Sequence, residues 1–212
     1  GVLLPVYYKA SGRRCYSATV LLCRFDGREL TFVEHGTALK HDVPRGYCEP
    51  SLARFRDRFY LTLRNDRTGY VTAGDDGLHF AEPVVWRFDD GKPLGNYNTQ
   101  QHWVVGPRGL YLVYTRRGVN NDHVFRHRAP LFMARVDTAH LRVVRATERV
   151  LVPERGARLG NFGVCRVDDR ETWVTVAEWM QPRGCEKRGA DNSVHVARIR
   201  WRKAKDPQET QP

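Results

Sequence analysis

Lysine is scarce, cysteine follows no pattern and long apolar runs are missing from this 212-residue sequence. The longest apolar stretches are pieces such as Ala18 to Cys23, far short of the roughly 18 residues a membrane-spanning helix needs, so such a span is excluded. The five cysteines (Cys15, Cys23, Cys48, Cys165, Cys185) contain no CxxC pair. His35, His41, His79, His140 and His195 form no HxH or HxxxH set, so neither metal nor other cofactor is expected. An odd cysteine count leaves a thiol unpaired, which favours a reducing compartment and leaves a periplasmic one open. No helix-turn-helix period, finger spacing or ribonucleoprotein motif occurs, so nucleic acid is not an expected partner. Nor does any apolar stripe persist over three helical turns. The opening Gly1-Val2-Leu3-Leu4-Pro5 lacks an initiator Met and a signal peptide's order of charges and apolar residues. It reads as a fragment whose start has been removed, with localisation open between cytoplasm and periplasm or secretion.

What is present is arginine. Lys and Arg number 35 against 24 Asp and Glu, a formal charge of +11, and only six of the basic residues are Lys. Such a surplus attracts polyanions, nucleic acid, anionic lipid and acidic glycan among them, without naming one.

Brief segments rich in Val, Leu, Phe, Tyr and Trp are each followed by a turn signal within about ten residues, the pattern of an all-β chain. Twelve strands are expected, from Leu3 to Tyr8 through to Val194 to Trp201, with turns at Asp26-Gly27, Arg56-Asp57-Arg58, Asp75-Asp76-Gly77, Pro107-Arg108-Gly109 and Asp168-Asp169-Arg170. Glu49 to Arg64 and Gln101 to Arg116 share one layout and span 15 positions each; a looser copy runs from Asn161 to Trp179. Copy starts lie 52 and 60 residues apart, the length of a four-stranded propeller blade. The expectation is a β-propeller with three to four blades over residues 1–202 and a solvated tail over 203–212.

The stretch Gly46-Tyr47-Cys48-Glu49-Pro50-Ser51-Leu52, followed by Tyr60-Leu61-Thr62-Leu63-Arg64, resembles the sialidase superfamily of β-propeller glycoside hydrolases. So does Ala73-Gly74-Asp75-Asp76-Gly77-Leu78-His79-Phe80, which is similar to that family's Asp-box turn. The resemblance implies a partial propeller of the sialidase type. It implies that Glu49 partners a nucleophile, that Arg64 and Arg128 (in Arg128-Ala129-Pro130-Leu131) belong to an arginine clamp on a substrate carboxylate, and that Glu178 is a late family glutamate. The clamp's first arginine and the acid Asp have no match, and Gly160-Asn161-Phe162-Gly163 stands where the family carries its nucleophilic Tyr. That departure points to altered chemistry.

Apart from the resemblance, Gly95 to Trp103 is dense in amides and aromatics with one His, a mixture suited to sugar hydroxyls and ring faces. Asn98 and His102 are candidates there, Asn121 in the loop before Arg128, and Asn161 on a third copy. Catalytic expectations fall on Glu49, His102 and Glu178; substrate-binding ones on Arg64, Arg128, Asn98, Asn161 and Asn121. The expected function is a sialidase-like hydrolase acting on a carboxylate-bearing glycan. The rivals are a carbohydrate-binding propeller without catalysis and a lyase in which His102 takes a proton α to a uronate carboxyl. As a fragment the chain is expected to aggregate or dimerise and to turn over little.

Overall fold

The computed structural model describes residues 1–201, so the expected tail lies outside the described residues. The chain is all-β, with 49% of residues in strands and 5% in helix, confined to three short 3-10 turns. Four antiparallel sheets follow one another in sequence. Sheet 1 is β1 (Val2–Tyr8), β2 (Ser17–Phe25) and β3 (Leu30–His35); sheet 2 is β4 (Cys48–Phe55), β5 (Arg58–Arg64), β6 (Tyr70–Gly74) and β7 (Val84–Val85). Sheet 3 contains β8 (His102–Gly106), β9 (Gly109–Tyr114), β10 (Leu131–Asp137) and β11 (Arg142–Val143), with β12 (Arg149–Val152) also paired to β10. Sheet 4 is β13 (Arg158–Arg166), β14 (Glu171–Trp179) and β15 (Val194–Arg200).

The strands form where the sequence alternates. In β14, Thr172, Val174, Val176 and Glu178 are buried while Trp173, Thr175, Ala177 and Trp179 face outward. The short strands β7, β11 and β12 escape a reading by period because two to four residues cannot display one.

Three apolar clusters join the sheets in series. Ala18 and Val20 meet Leu61 and Leu63 between sheets 1 and 2. Ala53, Tyr60 and Val71 meet Trp103, Leu110 and Leu112 between sheets 2 and 3. Val104, Val113 and Leu131 meet Leu159, Val174 and Val176 between sheets 3 and 4. Each fully buried aliphatic or aromatic side chain there stabilises the fold by about 1.5–3 kcal/mol. No core cluster among the described residues joins sheet 4 back to sheet 1, so the four sheets do not form a closed ring.

The turn expected to be an Asp box is held differently. Asp76, not Asp75, closes it: its Oδ1 accepts the N–H of Leu78 (2.8 Å) and His79 (2.7 Å). Asp75 lies outside, paired to Arg58 at 3.1 Å.

Candidate functional site

The first strands of sheets 2, 3 and 4 pack side by side, and their starts bring most of the expected residues to one end of the molecule. The register decides which residues meet. Turns close at Phe55↔Arg58 and Gly106↔Gly109, so His102 is the counterpart of Ser51, one place from the alignment of Gln101 with Glu49 that the 15-residue interval implied. His102 Nδ1 lies 3.2 Å from Ser51 Oγ, and its ring meets Phe162 edge to face at 5.2 Å. Burial pushes the His102 imidazole below its ordinary value and nearby Glu49 opposes the shift. Gln101 is instead fully buried, accepting from Thr62 Oγ1 at 3.0 Å and donating to Thr99 O at 2.8 Å. A groove of about 650 Å³ runs beside these strands, lined by Ser51, Arg54, His102, Val105, Val164 and Arg166 among others.

Glu49 sits in a two-residue bulge of β4 with φ 44°, a left-handed conformation. Its Oε1 accepts from Arg64 Nη1 at 2.7 Å, and its buried Oε2 has no partner. Arg64, 4% exposed, also donates Nη2 to Asn98 Oδ1 at 2.7 Å. Asn98, at φ 52°, therefore bridges two arginines, because its backbone oxygen accepts Nε (3.3 Å) and Nη2 (2.8 Å) of Arg128.

Arg128 is equally buried, yet it has no carboxylate partner among the described residues. Burial, then Arg64, Arg158 and Arg126, pulls its guanidinium down to about 10, against which only Glu49 acts. Arg158 is also unpaired by a carboxylate: it stacks on Trp179 at 3.4 Å, and its buried Nε has no hydrogen-bond partner. Arg116, in contrast, is neutralised by Glu148 through Nε at 2.8 Å and Nη2 at 2.7 Å. The site thus holds a surplus of buried positive charge.

Two expected residues have structural contacts. Glu178, its side chain 2% exposed, accepts the N–H of Asp191 (2.9 Å) and Ser193 (3.2 Å), and Arg155 and His195 lie 3.7 and 3.6 Å away. It fastens the segment between β14 and β15. Buried Asn121 donates to Arg116 O at 2.9 Å and Ala129 O at 2.7 Å, pinning its loop. Asn161 lies exposed in the bulge of β13.

Sequence reasoning singled out neither His127 nor Arg158, and held Tyr97 only as part of the stretch Gly95 to Trp103. Tyr97 Oη lies 2.5 Å from His127 Nδ1, whose Nε2 lies 3.1 Å from Asp122 Oδ1. Arg117 covers the Tyr97 ring at 4.1 Å. Arg126 and His127 are consecutive residues with positive φ (59° and 52°), and Asn120 has 56°. Strained non-glycine residues of this kind persist only where surrounding contacts enforce them. The signal for His127 was its place one residue before Arg128, which no strand or helix period marks.

No family model matches the chain, and no curated protein matches it either. Similar solved structures include a Dyadobacter fermentans protein of unknown function (16% identity, TM-score 0.59), matching 92% of this chain and 48% of its own. A Bombyx mori family-32 β-fructofuranosidase matches with 15% identity and TM-score 0.55, over 92% of this chain and 44% of its own. An endo-arabinase from Bacteroides thetaiotaomicron matches with 10% identity and TM-score 0.53, over 92% and 73%. This chain spans about half the length of the first two. At these identities the likeness concerns the fold, which is that of propeller-type family-32 and family-43 glycoside hydrolases. The resemblance to sialidases is thereby corrected. Of the short motifs that carried it, Glu49-Pro50 forms a bulge inside β4, and an Asp-Gly pair suits tight turns in general.

Proposed function

We propose that this chain carries the acidic-sugar site of a carbohydrate-active enzyme that cleaves glycosidic bonds. The observation that carries the reading is Arg128, a buried guanidinium crowded by Arg64, Arg126 and Arg158 with Glu49 as the one opposing carboxylate. A carboxylate entering beside Arg128 and Arg158 supplies the missing charge, in the planar geometry that guanidinium groups favour. His102 and Ser51 line the groove and are suited to sugar hydroxyls. The propeller-type fold shared with glycoside hydrolases supports a glycan as substrate, and the net charge of +11 supports an anionic one.

Calorimetric titration with oligogalacturonate and alginate oligomers, against neutral arabinan and fructan oligomers, tests this. Acidic oligomers are expected to bind at least tenfold tighter. Arg128→Met, which removes the buried guanidinium, should abolish that preference. Equal affinity for neutral oligomers, or unchanged affinity in Arg128→Met, would overturn the reading.

A further inference from the structure

A pair of carboxylates suited to hydrolysis is not assembled at this site among the described residues. Glu49 is held by Arg64, Asp66 lies between Arg64 and Arg45, Glu178 is fastened to backbone N–H groups, and Asp122 stands behind His127. Two-carboxylate hydrolysis needs one free acid and one free base flanking the bond. Elimination from a uronic acid needs less: one cation on the carboxylate and one group to move a proton from the adjacent carbon.

Both stand on two loop segments that side-chain hydrogen bonds join. The segment Tyr97-Asn98 faces His127-Arg128, with Tyr97 bonded to His127 and Asn98 to Arg128. The phenol and the buried guanidinium are therefore one residue apart on opposing segments. Building on the acidic-sugar reading, we propose that Tyr97 is the catalytic proton-transfer residue of a β-eliminating polysaccharide lyase, with His127 and Asp122 positioning it. Tyr97 Oη takes the proton α to the uronate carboxyl while its own proton passes to His127 Nδ1. Arg128 stabilises the enolate that forms. The electron pair left on carbon becomes the new double bond as the C–O bond to the neighbouring sugar breaks. The leaving oxygen takes a proton from Tyr97, which recovers its own from His127. One saccharide bond is lost, one C=C is gained, and no water or other co-reactant enters. Burial keeps the Tyr97 hydroxyl above its ordinary value, with Arg117 and Arg126 opposing and Asp122 reinforcing, so it remains a phenol at neutral pH and works through this relay.

The test uses the chain with oligogalacturonate and alginate oligomers in water enriched in oxygen-18. Expected are a product absorbing in the ultraviolet, no solvent oxygen in the new reducing end, and loss of about 10²–10⁴-fold in kcat for Tyr97→Phe with oligomer affinity kept within threefold. Asp122→Asn, whose side chain is 94% exposed and so spares the fold, should lower kcat about tenfold and leave KM unchanged. Solvent oxygen in the product, binding without any turnover, or undiminished kcat in Tyr97→Phe would each overturn elimination while the acidic-sugar site stands. Failure of that underlying reading shows separately, as loss of the calorimetric preference for acidic oligomers.

Discussion

His102 illustrates how one side chain's setting fixes its chemistry. Its folded-state value lies below the ordinary one because burial disfavours the cation, so on acidification the unfolded chain takes up a proton first. The resulting stability is present above the unfolded value near 6.5 and is lost as pH falls through the folded one. Melting temperature should therefore drop between pH 7 and pH 5, and His102→Gln should flatten that drop; an identical pH profile in the variant would show that His102 does not carry it. The residue was legible in sequence because it begins a strand in a repeated unit. Its partners Ser51 and Phe162 were not, since one register step separates the interval in the sequence from the pairing in the sheet, and in a strand one step reverses the face.

At the scale of elements, the twelve longer strands were readable as brief Val-, Leu-, Phe-, Tyr- and Trp-rich segments bounded by turn residues, whereas the loops that carry Tyr97, Asp122 and His127 hold no such signal. Glu178, a glutamate near a strand end, accepts from the backbone of the segment that follows β14 and so holds residues 180–193. Glu178→Ala should cost about 2–4 kcal/mol by orphaning the N–H groups of Asp191 and Ser193 and leaving Arg155 and His195 without their shared carboxylate. Hydrogen exchange should quicken at those two amides, while affinity for acidic oligomers stays as in the parent chain. Affinity lost without faster exchange would return Glu178 to the site.

For the whole molecule, sheets 1 and 4 each expose large apolar side chains. Phe25 and Phe32 are 55% and 56% exposed on one, and Val194 and Val196 are 71% and 49% exposed on the other. Faces of this kind associate in water. Light scattering at rising concentration should show self-association that added salt does not disperse, and Val194→Lys with Val196→Lys should reduce it. Association that salt dissolves would instead assign it to charge.

The sequence by itself determined the all-β class and the strand positions, because short apolar segments and turn residues are local properties. Tertiary structure alone decided the site. Whether an arginine is neutralised, as Arg116 is by Glu148, or left short of negative charge, as Arg128 is, depends on residues brought together from far along the chain. Tyr97 and His127, thirty positions apart, come within hydrogen-bond distance, and Arg128 beside them donates to the backbone oxygen of Asn98. Pairing of that kind leaves no periodic trace, since it arises from loops whose conformation the surrounding sheets impose.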